Sequence, residues 1–400
     1  MTIKRFNLKI YLIIGLLAVT VTSCHKFLEE RDPSNLTPDT YYTQPEHAEA
    51  AIAAAYATTR FINGGAGIFV NNFQMLEAVT GTVKTETGQN SDLNNVLGLV
   101  YNGDNLLVRN WWNGLYSVIA QTNLVLERVP GINPMDEAQK KRILGEGRFL
   151  RAWAYFYLVR LYGDVPLITT PVDVNSEELF PGRAPIQQVY DTIVSDLVTA
   201  EDSGLPMADA TGRASLGAIK SLLAEVYLTM AGQPLNKGQA YYQMAADKAK
   251  EVIESNSFGL FPNYGDLHNP GVENRVEQIF EIQYLGGVAD NPNQGILLPN
   301  FKGVSQYGTE IGSIVPTLQF YNSYEDGDLR KVDRQGFFYT SYYEEGSGAL
   351  KQLGAPYIFK HFDSVAHGSA GKVGTAVSSL NWMNIRFAQV LLTYAEAQNE

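Results

Sequence analysis

The sequence has few of the features that most directly indicate a structure or a function, such as cysteine pairs, an excess of basic residues or long apolar runs. It has one cysteine in 400 residues, so no disulfide can form within the chain. Its 30 Lys and Arg are outnumbered by 42 Asp and Glu, and the net charge of −12 disfavours nucleic acid, which needs a basic surface. The longest apolar run, residues 10–21, is shorter than the roughly 20 residues of a membrane-spanning helix.

Signatures of catalysis and of metal binding are also missing. The histidines show no pair at metal-ligand spacing on a helix, and the one cysteine offers no second ligand. Residues 368–372 resemble a phosphate-binding loop, but its first glycine is missing and Val373 replaces the needed hydroxyl. We therefore predict no catalytic residues, no metal ligands and no cofactor. A glycan hydrolase remains an alternative because carboxylates distant in sequence can meet in a fold.

The N-terminus has the pattern of an export signal. Lys4, Arg5 and Lys9 precede the apolar run, and small residues lead into Cys24. This arrangement resembles a bacterial lipobox, in which the thiol is acylated and the chain is cut before it. We predict a lipoprotein signal peptide over residues 1–23 and lipidation of Cys24, with an ordinary signal peptide as the alternative. Cleavage would change the charge from −12 to −15, so lipid rather than surface charge would hold the protein at a membrane.

Helical periodicity dominates the next part of the chain. Apolar residues recur at helical spacing in several segments, which are joined by short turns that favour antiparallel hairpins. These hairpins recur at intervals close to the 34 residues of tetratricopeptide repeats. The predicted helices are 45–60, 111–129, 136–162, 186–201, 215–230 and 237–254.

Two regions lack this periodicity. Residues 61–101 are interrupted by Gly, Asn and Thr and are predicted to be mostly loop. Residues 258–384 are rich in Gly, Pro, Asn and aromatic residues, with short strand-like runs at 278–284 and 336–343. A helical pattern resumes at residue 385 and continues to residue 400. Because the sequence stops within this pattern, we expect the chain to be truncated at its C-terminus.

Several segments together resemble the SusD/RagB family of outer-membrane nutrient-binding lipoproteins of Bacteroidetes. The most specific is GRFLRAWAYFYLVRLYGDVPLI at residues 147–168. In chain order the others are CHKFLEERDPSNLTPDTYY, AIAAAY, VYDTIVSDLVTA, GRASLGAIKSLLAEVYLTMAG, EQIFEIQY and IRFAQVLLTYAEAQNE. The resemblance implies a mainly α-helical protein with tetratricopeptide-like repeats, a loop-rich and partly β ligand-binding region, and no catalysis. It also implies a SusC-like TonB-dependent outer-membrane receptor as partner.

The predicted organisation follows from the signal, the periodicity and the resemblance. After the signal peptide (1–23) come a lipidated tether (24–44) and a helical repeat body (45–265) with an inserted loop at 61–105. A loop-rich ligand-binding region (266–384) follows, and residues 385–400 begin a further helix. The protein is expected at the cell outer membrane, exposed at the surface and lipid-anchored.

The resemblance places ligand residues in two loop regions. These offer amides, carboxylates and aromatic rings that suit sugar hydroxyls and ring faces, and the candidates are Asn94, Asn95, Tyr101, Asp104, Tyr284, Asn293, Phe301 and Tyr307. Further polar residues in the same loops are Asn90, Asp92, Asn102, Asn291 and Gln294. Neither loop contains tryptophan, which argues against a starch-like ligand. Trp111, Trp112 and Trp153 are predicted core residues, and the role of Trp382 is left open.

We therefore expect a receptor that binds an oligosaccharide and delivers it to the outer-membrane receptor. A peptide ligand is the alternative within the same family. A glycan hydrolase and a helical-repeat adaptor without a small ligand are the alternatives from other classes. The sequence leaves a structural calcium ion open.

Overall fold

The computed structural model describes residues 41–65, 71–88, 90–173, 176, 179–300, 304, 311–344, 347–363 and 378–400. The chain divides into two units, residues 1–42 and 43–400, and the description below concerns the second. The signal peptide, Cys24, most of the tether and the candidates Phe301 and Tyr307 lie outside the described residues. Within the described ranges, no helix is both long enough and apolar enough to cross a membrane.

Long helices form the first half of the described chain and return at its end. In chain order the helices are α1 (Pro45–Thr59), α2 (Gln74–Ala78), α3 (Ser91–Leu97), α4 (Leu106–Arg128), α5 (Glu137–Tyr162), α6 (Ile186–Glu201), α7 (Leu216–Ala231), α8 (Gln239–Glu254), α9 (Leu318–Asn322) and α10 (Phe387–Asn399). Every long helix predicted from periodicity is present, with ends that differ by a few residues. The predicted loop at 61–101 contains α2 and α3, which are too short to show a helical period.

Helix α5 illustrates how the sequence sets these limits. The Asp136 side chain accepts a hydrogen bond from the Gln139 amide at 2.8 Å and so caps the first turn. The helix ends at Gly163, whose φ of 68° is left-handed and is readily adopted by glycine. Between these ends the helix is buried on most sides, and Trp153 is 1% exposed. Helix α5 is therefore a central element of the body.

Consecutive helices of the body pack against each other. Helix α5 contacts α4 and α6, α7 contacts α8, and α10 packs on α8. Helix α1 covers α4 and α5. This arrangement confirms the predicted mainly α fold with helical hairpins of the tetratricopeptide-like kind. Trp111 and Trp153 lie in the core as predicted, whereas Trp112 is only half-buried.

Buried ion pairs connect the helices of the body. The Arg151 guanidinium on α5 donates to both carboxylate oxygens of Asp196 on α6, each at 2.8 Å. It also donates to the Asn123 side chain at 2.9 Å and to the Thr169 carbonyl at 2.9 Å. One side chain therefore joins α4, α5 and α6 to the segment that follows α5.

A second ionic cluster lies nearer the N-terminus of α5. Glu146 is fully buried and accepts hydrogen bonds from Arg142 at 2.5 Å and from Arg213 at 2.7 Å. Both arginines also pair with Glu49 of α1. The cluster thereby holds α1, α5 and the turn before α7 together, since a buried carboxylate requires such partners.

Short antiparallel strands order the loop-rich region. The strands are β1 (Val83–Lys84), β2 (Gln278–Ile282), β3 (Val315–Pro316), β4 (Phe338–Tyr343), β5 (Leu350–Ile358) and β6 (Trp382–Arg386). They pair as β1 with β3, β2 with β6 and β4 with β5, with Phe338 opposite Ile358 and Ile282 opposite Trp382. β2 and β4 match the two strand-like runs. β5 was not predicted because Gly354 and Pro356 interrupt its pattern.

Candidate functional site

The four candidates of the first loop lie on or just after α3. Asn95, Tyr101 and Asp104 are exposed, and the exposed fraction of Tyr101 is 41%. Asn94 is half-buried and donates its side-chain amide to the Gly88 carbonyl at 3.0 Å. Three of these four side chains are therefore open to a ligand. Their role in binding stays a prediction.

Two candidates of the later loops are buried instead. Tyr284 is 8% exposed and its hydroxyl donates to the Arg60 carbonyl at 3.3 Å. Asn293 is fully buried and its side-chain oxygen accepts from the Asn71 amide at 2.7 Å. A ligand would reach either side chain only after a rearrangement. Sequence reasoning missed this because the partners lie more than 220 residues away.

Other polar side chains predicted in the same loops join this buried network. Asn291 accepts from the Asn63 amide at 3.2 Å and donates to the Leu380 carbonyl at 2.7 Å. Gln294 donates to the His361 carbonyl at 3.0 Å. These amides fix the backbone of the 291–294 loop, because each supplies both a donor and an acceptor.

A cavity of about 210 Å³ opens in the loop-rich region. We call it the cationic pocket. Its walls combine aromatic rings, two basic side chains and amides, and its lining residues are Tyr264, Leu267, His268, Asn291, Phe337, Lys360, His361, Leu380, Asn381, Trp382, Met383 and Arg386. None of these was among the eight predicted ligand residues. Two features of the sequence could have indicated this pocket. They are the high aromatic content of residues 258–384 and the position of Trp382 just before the last helix.

An aromatic platform forms one wall of the cationic pocket. The Trp382 ring stacks on His361 with centroids 4.6 Å apart and an interplanar angle of 22°. Phe73 packs behind both rings, with centroid distances of 5.3 Å to Trp382 and 5.5 Å to His361. Packing therefore holds the platform in place. A surface that binds the flat face of a ligand needs such support.

The basic side chains of the pocket are paired with acids outside its lining. Lys360 lies 2.7 Å and His361 3.2 Å from the Glu77 carboxylate, and Arg386 lies 2.9 Å from Glu277. Burial opposes ionisation of Glu77, but the Lys360 ammonium and His361 outweigh it and lower the pKa of Glu77 to about 2. Glu77 thus stays ionised and holds Lys360 in place.

His268 contributes a neutral imidazole to the same pocket. It is 5% exposed, and its Nε2 atom has no hydrogen-bond partner among the described residues. Burial, reinforced by the positive charges of His361, Arg386 and Lys360, lowers the pKa of His268 to about 3. This nitrogen is itself closed to solvent, so a polar group of a ligand or a water would reach it only after a shift of the surrounding side chains.

A second cavity, of about 380 Å³, lies in the helical body beside α4. We call it the apolar groove, and its lining residues are Trp112, Tyr116, Ile119, Ala120, Asn123, Leu124, Pro166, Ile168, Thr170, Pro171, Val172 and Pro181. Its polar atoms already have internal partners: Tyr116 donates to the Pro166 carbonyl at 2.7 Å and Asn123 to the Ile168 carbonyl at 3.0 Å. The groove therefore suits an apolar group.

Acidic side chains form no evident catalytic or metal centre in the described parts of the chain. No group of three or more His, Cys, Asp or Glu is placed to hold a metal ion there. Glu273 and Glu281 are neighbours with raised pKa values. Burial and repulsion from nearby acids raise the pKa of Glu273 to about 8, and burial raises the pKa of Glu281 to about 7. Each accepts a backbone hydrogen bond, from Asn381 and Asn274 respectively, and Glu281 is 2% exposed.

Comparison with known proteins places this architecture among SusD-like proteins. A SusD-like family model, described as starch-binding and associating with the outer membrane, matches residues 26–228. SusD-like protein P2 of Formosa agariphila is 27% identical over 405 residues, covering 96% of this chain and 76% of that protein. The family model ends within α7, and the match to protein P2 covers nearly the whole chain.

Solved structures agree with the sequence comparisons. A SusD superfamily protein from Parabacteroides distasonis superposes with a TM-score of 0.82 at 38% identity, over 91% of this chain and 76% of that one. A structure described as containing a xylogluco-oligosaccharide superposes with a TM-score of 0.70 at 26% identity, over 88% of this chain and 70% of that one. The similarity therefore includes the loop-rich region as well as the body.

Proposed function

This chain belongs to the SusD/RagB family of Bacteroidetes, and from that premise we propose that it captures an oligosaccharide in its loop-rich region and delivers it to a SusC-like TonB-dependent receptor. The family is described as associating with the outer membrane. In this proposal acylated Cys24 anchors the protein to the outer face of that membrane. Capture is non-covalent and involves no catalysis.

The observation that carries the proposal is the aromatic platform beside hydrogen-bonding groups in the cationic pocket. A sugar ring has apolar C–H faces and a rim of hydroxyls, so it needs a flat apolar surface and polar groups at the edge. Trp382 supplies the surface, and Lys360 and Arg386 supply the polar groups at the edge. The related structure with a xylogluco-oligosaccharide supports the same ligand class.

The exposed first-loop candidates extend this proposal to a longer ligand. Tyr101 offers a second aromatic face, and Asn95 and Asp104 offer exposed hydrogen-bonding groups in the same segment. The helical body holds this loop, because Asn105 caps α4 with a hydrogen bond from Leu107 at 3.0 Å and also donates to the Asp92 carbonyl at 2.9 Å. A rigid scaffold lowers the entropy lost on binding.

A peptide is the second candidate ligand, and the apolar groove favours it. Trp112, Tyr116 and three prolines create a surface for an apolar side chain, with few free polar groups for hydroxyls. In that case the groove, rather than the cationic pocket, would carry the affinity.

Calorimetric titration of the purified protein with xylogluco-oligosaccharides, other oligosaccharides and peptides tests both candidates. We expect binding of at least one oligosaccharide and a loss of about tenfold or more in affinity for Trp382→Ala, since truncation of an anchor side chain costs about 2 kcal/mol. Trp112→Ala is the matched control and should leave that affinity unchanged.

Two results would overturn the proposal. The first is a folded Trp382→Ala variant with unchanged oligosaccharide affinity, with folding checked by its melting temperature and by the milder Trp382→Phe. The second is binding of peptides alone, abolished by Trp112→Ala. Release of reducing ends from a polysaccharide would instead favour the hydrolase.

A further inference from the structure

The charges around the cationic pocket are unevenly distributed. Lys360 and Arg386 line it, and no carboxylate belongs to its lining. The side chains of their partners Glu77 and Glu277 are 16% and 4% exposed, against 28% and 30% for Lys360 and Arg386, so the basic side chains are the more accessible members of each pair. The whole chain carries a net charge of −12, which makes this wall an exception on an acidic protein. Such a wall attracts an anionic group, and does so more strongly where it is partly shielded from water.

One lining residue, His268, carries an unused hydrogen-bonding atom just beneath the pocket surface. His268 is more than nine-tenths buried, and its Nε2 lacks a partner among the described side chains and backbone. The imidazole is fixed by ring contacts with Tyr264 at 5.7 Å and Phe359 at 6.2 Å. An unpartnered buried nitrogen costs stability unless a ligand or water completes it. A neutral imidazole suits a hydroxyl group, which can donate or accept.

The size of the pocket limits its occupant. A volume of about 210 Å³ is smaller than the roughly 300–1,000 Å³ of cavities that enclose drug-sized ligands. It therefore has room for a single ring rather than a folded chain. The face of Trp382 that His361 does not cover offers this ring one flat wall.

From these observations we infer that the cationic pocket binds one sugar ring that carries a carboxylate, as in a uronic acid. The carboxylate lies against Lys360 and Arg386, and a ring face lies on Trp382. A hydroxyl reaches His268 once the side chains around its Nε2 shift. This inference rests on the proposed oligosaccharide-binding function and specifies the ligand class. It requires no chemical step, only recognition.

The sharpest test compares two ligands that differ only in the carboxylate. Oligogalacturonates and the same oligosaccharides after reduction of the carboxyl to a hydroxymethyl group are titrated into the purified protein. We expect the acidic form to bind at least tenfold more tightly at low salt, with the preference decreasing as salt screens the charges. Equal affinities would overturn the inference and leave the proposed function standing. Binding of no oligosaccharide at all would reject both.

Variants identify the side chains responsible. Lys360→Met keeps the apolar stem beside Phe337 but removes the charge, so the preference for the acidic form should fall at least threefold. Lys351→Met is the matched control, because Lys351 is an exposed lysine 3.7 Å from Glu344 and outside the pocket. His268→Phe should weaken both ligands about equally. An undiminished preference in Lys360→Met would contradict the assignment. If that variant melts early, Lys360→Arg replaces it and should keep the preference.

Discussion

The helical body and the loop-rich region bury their polar groups in different ways. The body uses ion pairs between helices, such as Arg151 with Asp196. The loop-rich region combines ion pairs, such as Arg386 with Glu277, with neutral amides, such as Asn71 with Asn293. Helices satisfy their own backbone groups and leave side chains free to join neighbours, whereas loops need amide side chains to satisfy exposed backbone groups. The difference shows that ion pairs between helices fix the body, whereas amide contacts between distant segments add to the ion pairs that fix the loops.

The two cavities also lie in different regions, the cationic pocket in the loop-rich region and the apolar groove in the helical body. The lining residues of the cationic pocket all come from residues 264–386, and those of the apolar groove from residues 112–181. The first is polar and aromatic, and the second is apolar with its polar atoms already paired. Separate perturbation of the two regions therefore tests which of them binds ligand and which serves as scaffold.

The largest expected effect comes from breaking the ion pair at the centre of the body. Arg151→Met leaves the Asp196 carboxylate buried without its bidentate partner, which typically costs about 3–5 kcal/mol of unfolding free energy. Urea denaturation monitored by circular dichroism measures the loss. Lys250→Met, an exposed lysine on α8, is the control and should change stability by less than about 0.5 kcal/mol. A loss for Arg151→Met no larger than that of the control would refute the scaffold role of this pair.

A pH-dependent effect of somewhat smaller size is expected in the loop-rich region. Burial raises the pKa of Glu281 from 4.5 to about 7. Between these pH values the folded state therefore keeps a proton that the unfolded state has lost. Stability from this group is complete below about pH 4.5 and is lost as pH rises toward 7. A shift of this size corresponds to on the order of 3 kcal/mol.

Denaturation at several pH values in the wild type and in Glu281→Gln tests this expectation. The glutamine keeps an oxygen for the Asn274 amide, so the variant should lose much of the dependence between pH 4.5 and 7. Glu254→Gln, at an exposed position on α8, should leave the wild-type profile intact. Identical profiles for the wild type and Glu281→Gln would contradict the expected titration.

The smallest of the three effects is expected in the buried amide network. Asn293→Ala removes the acceptor of the Asn71 amide, and loss of a buried hydrogen bond costs about 1–3 kcal/mol. Asn71→Ala should cost a similar amount, and the double variant less than the sum of both, because the two amides share one bond. Additive losses would show that they do not act together. A fall in oligosaccharide affinity without any loss of stability would restore Asn293 as a ligand residue.

Sequence reasoning predicted the body better than the site. Residues 186–201 repeat apolar side chains at helical spacing, so α6 was predicted with the bounds that the structure has. The cationic pocket has no such local signal, because His268, Phe337 and Trp382 come from segments that only the fold brings together. Likewise, nothing local shows that Asn293 is buried while Asn95 is exposed.

Hydrogen–deuterium exchange of the protein with and without a saturating acidic oligosaccharide tests the central claim most directly. If the loop-rich region binds ligand on an unchanged helical scaffold, exchange should slow in residues 264–268, 337–343 and 380–386 and stay the same in α5 to α8. Slower exchange along the apolar groove at residues 112–124 and 166–172, with no change around Trp382, would contradict that claim.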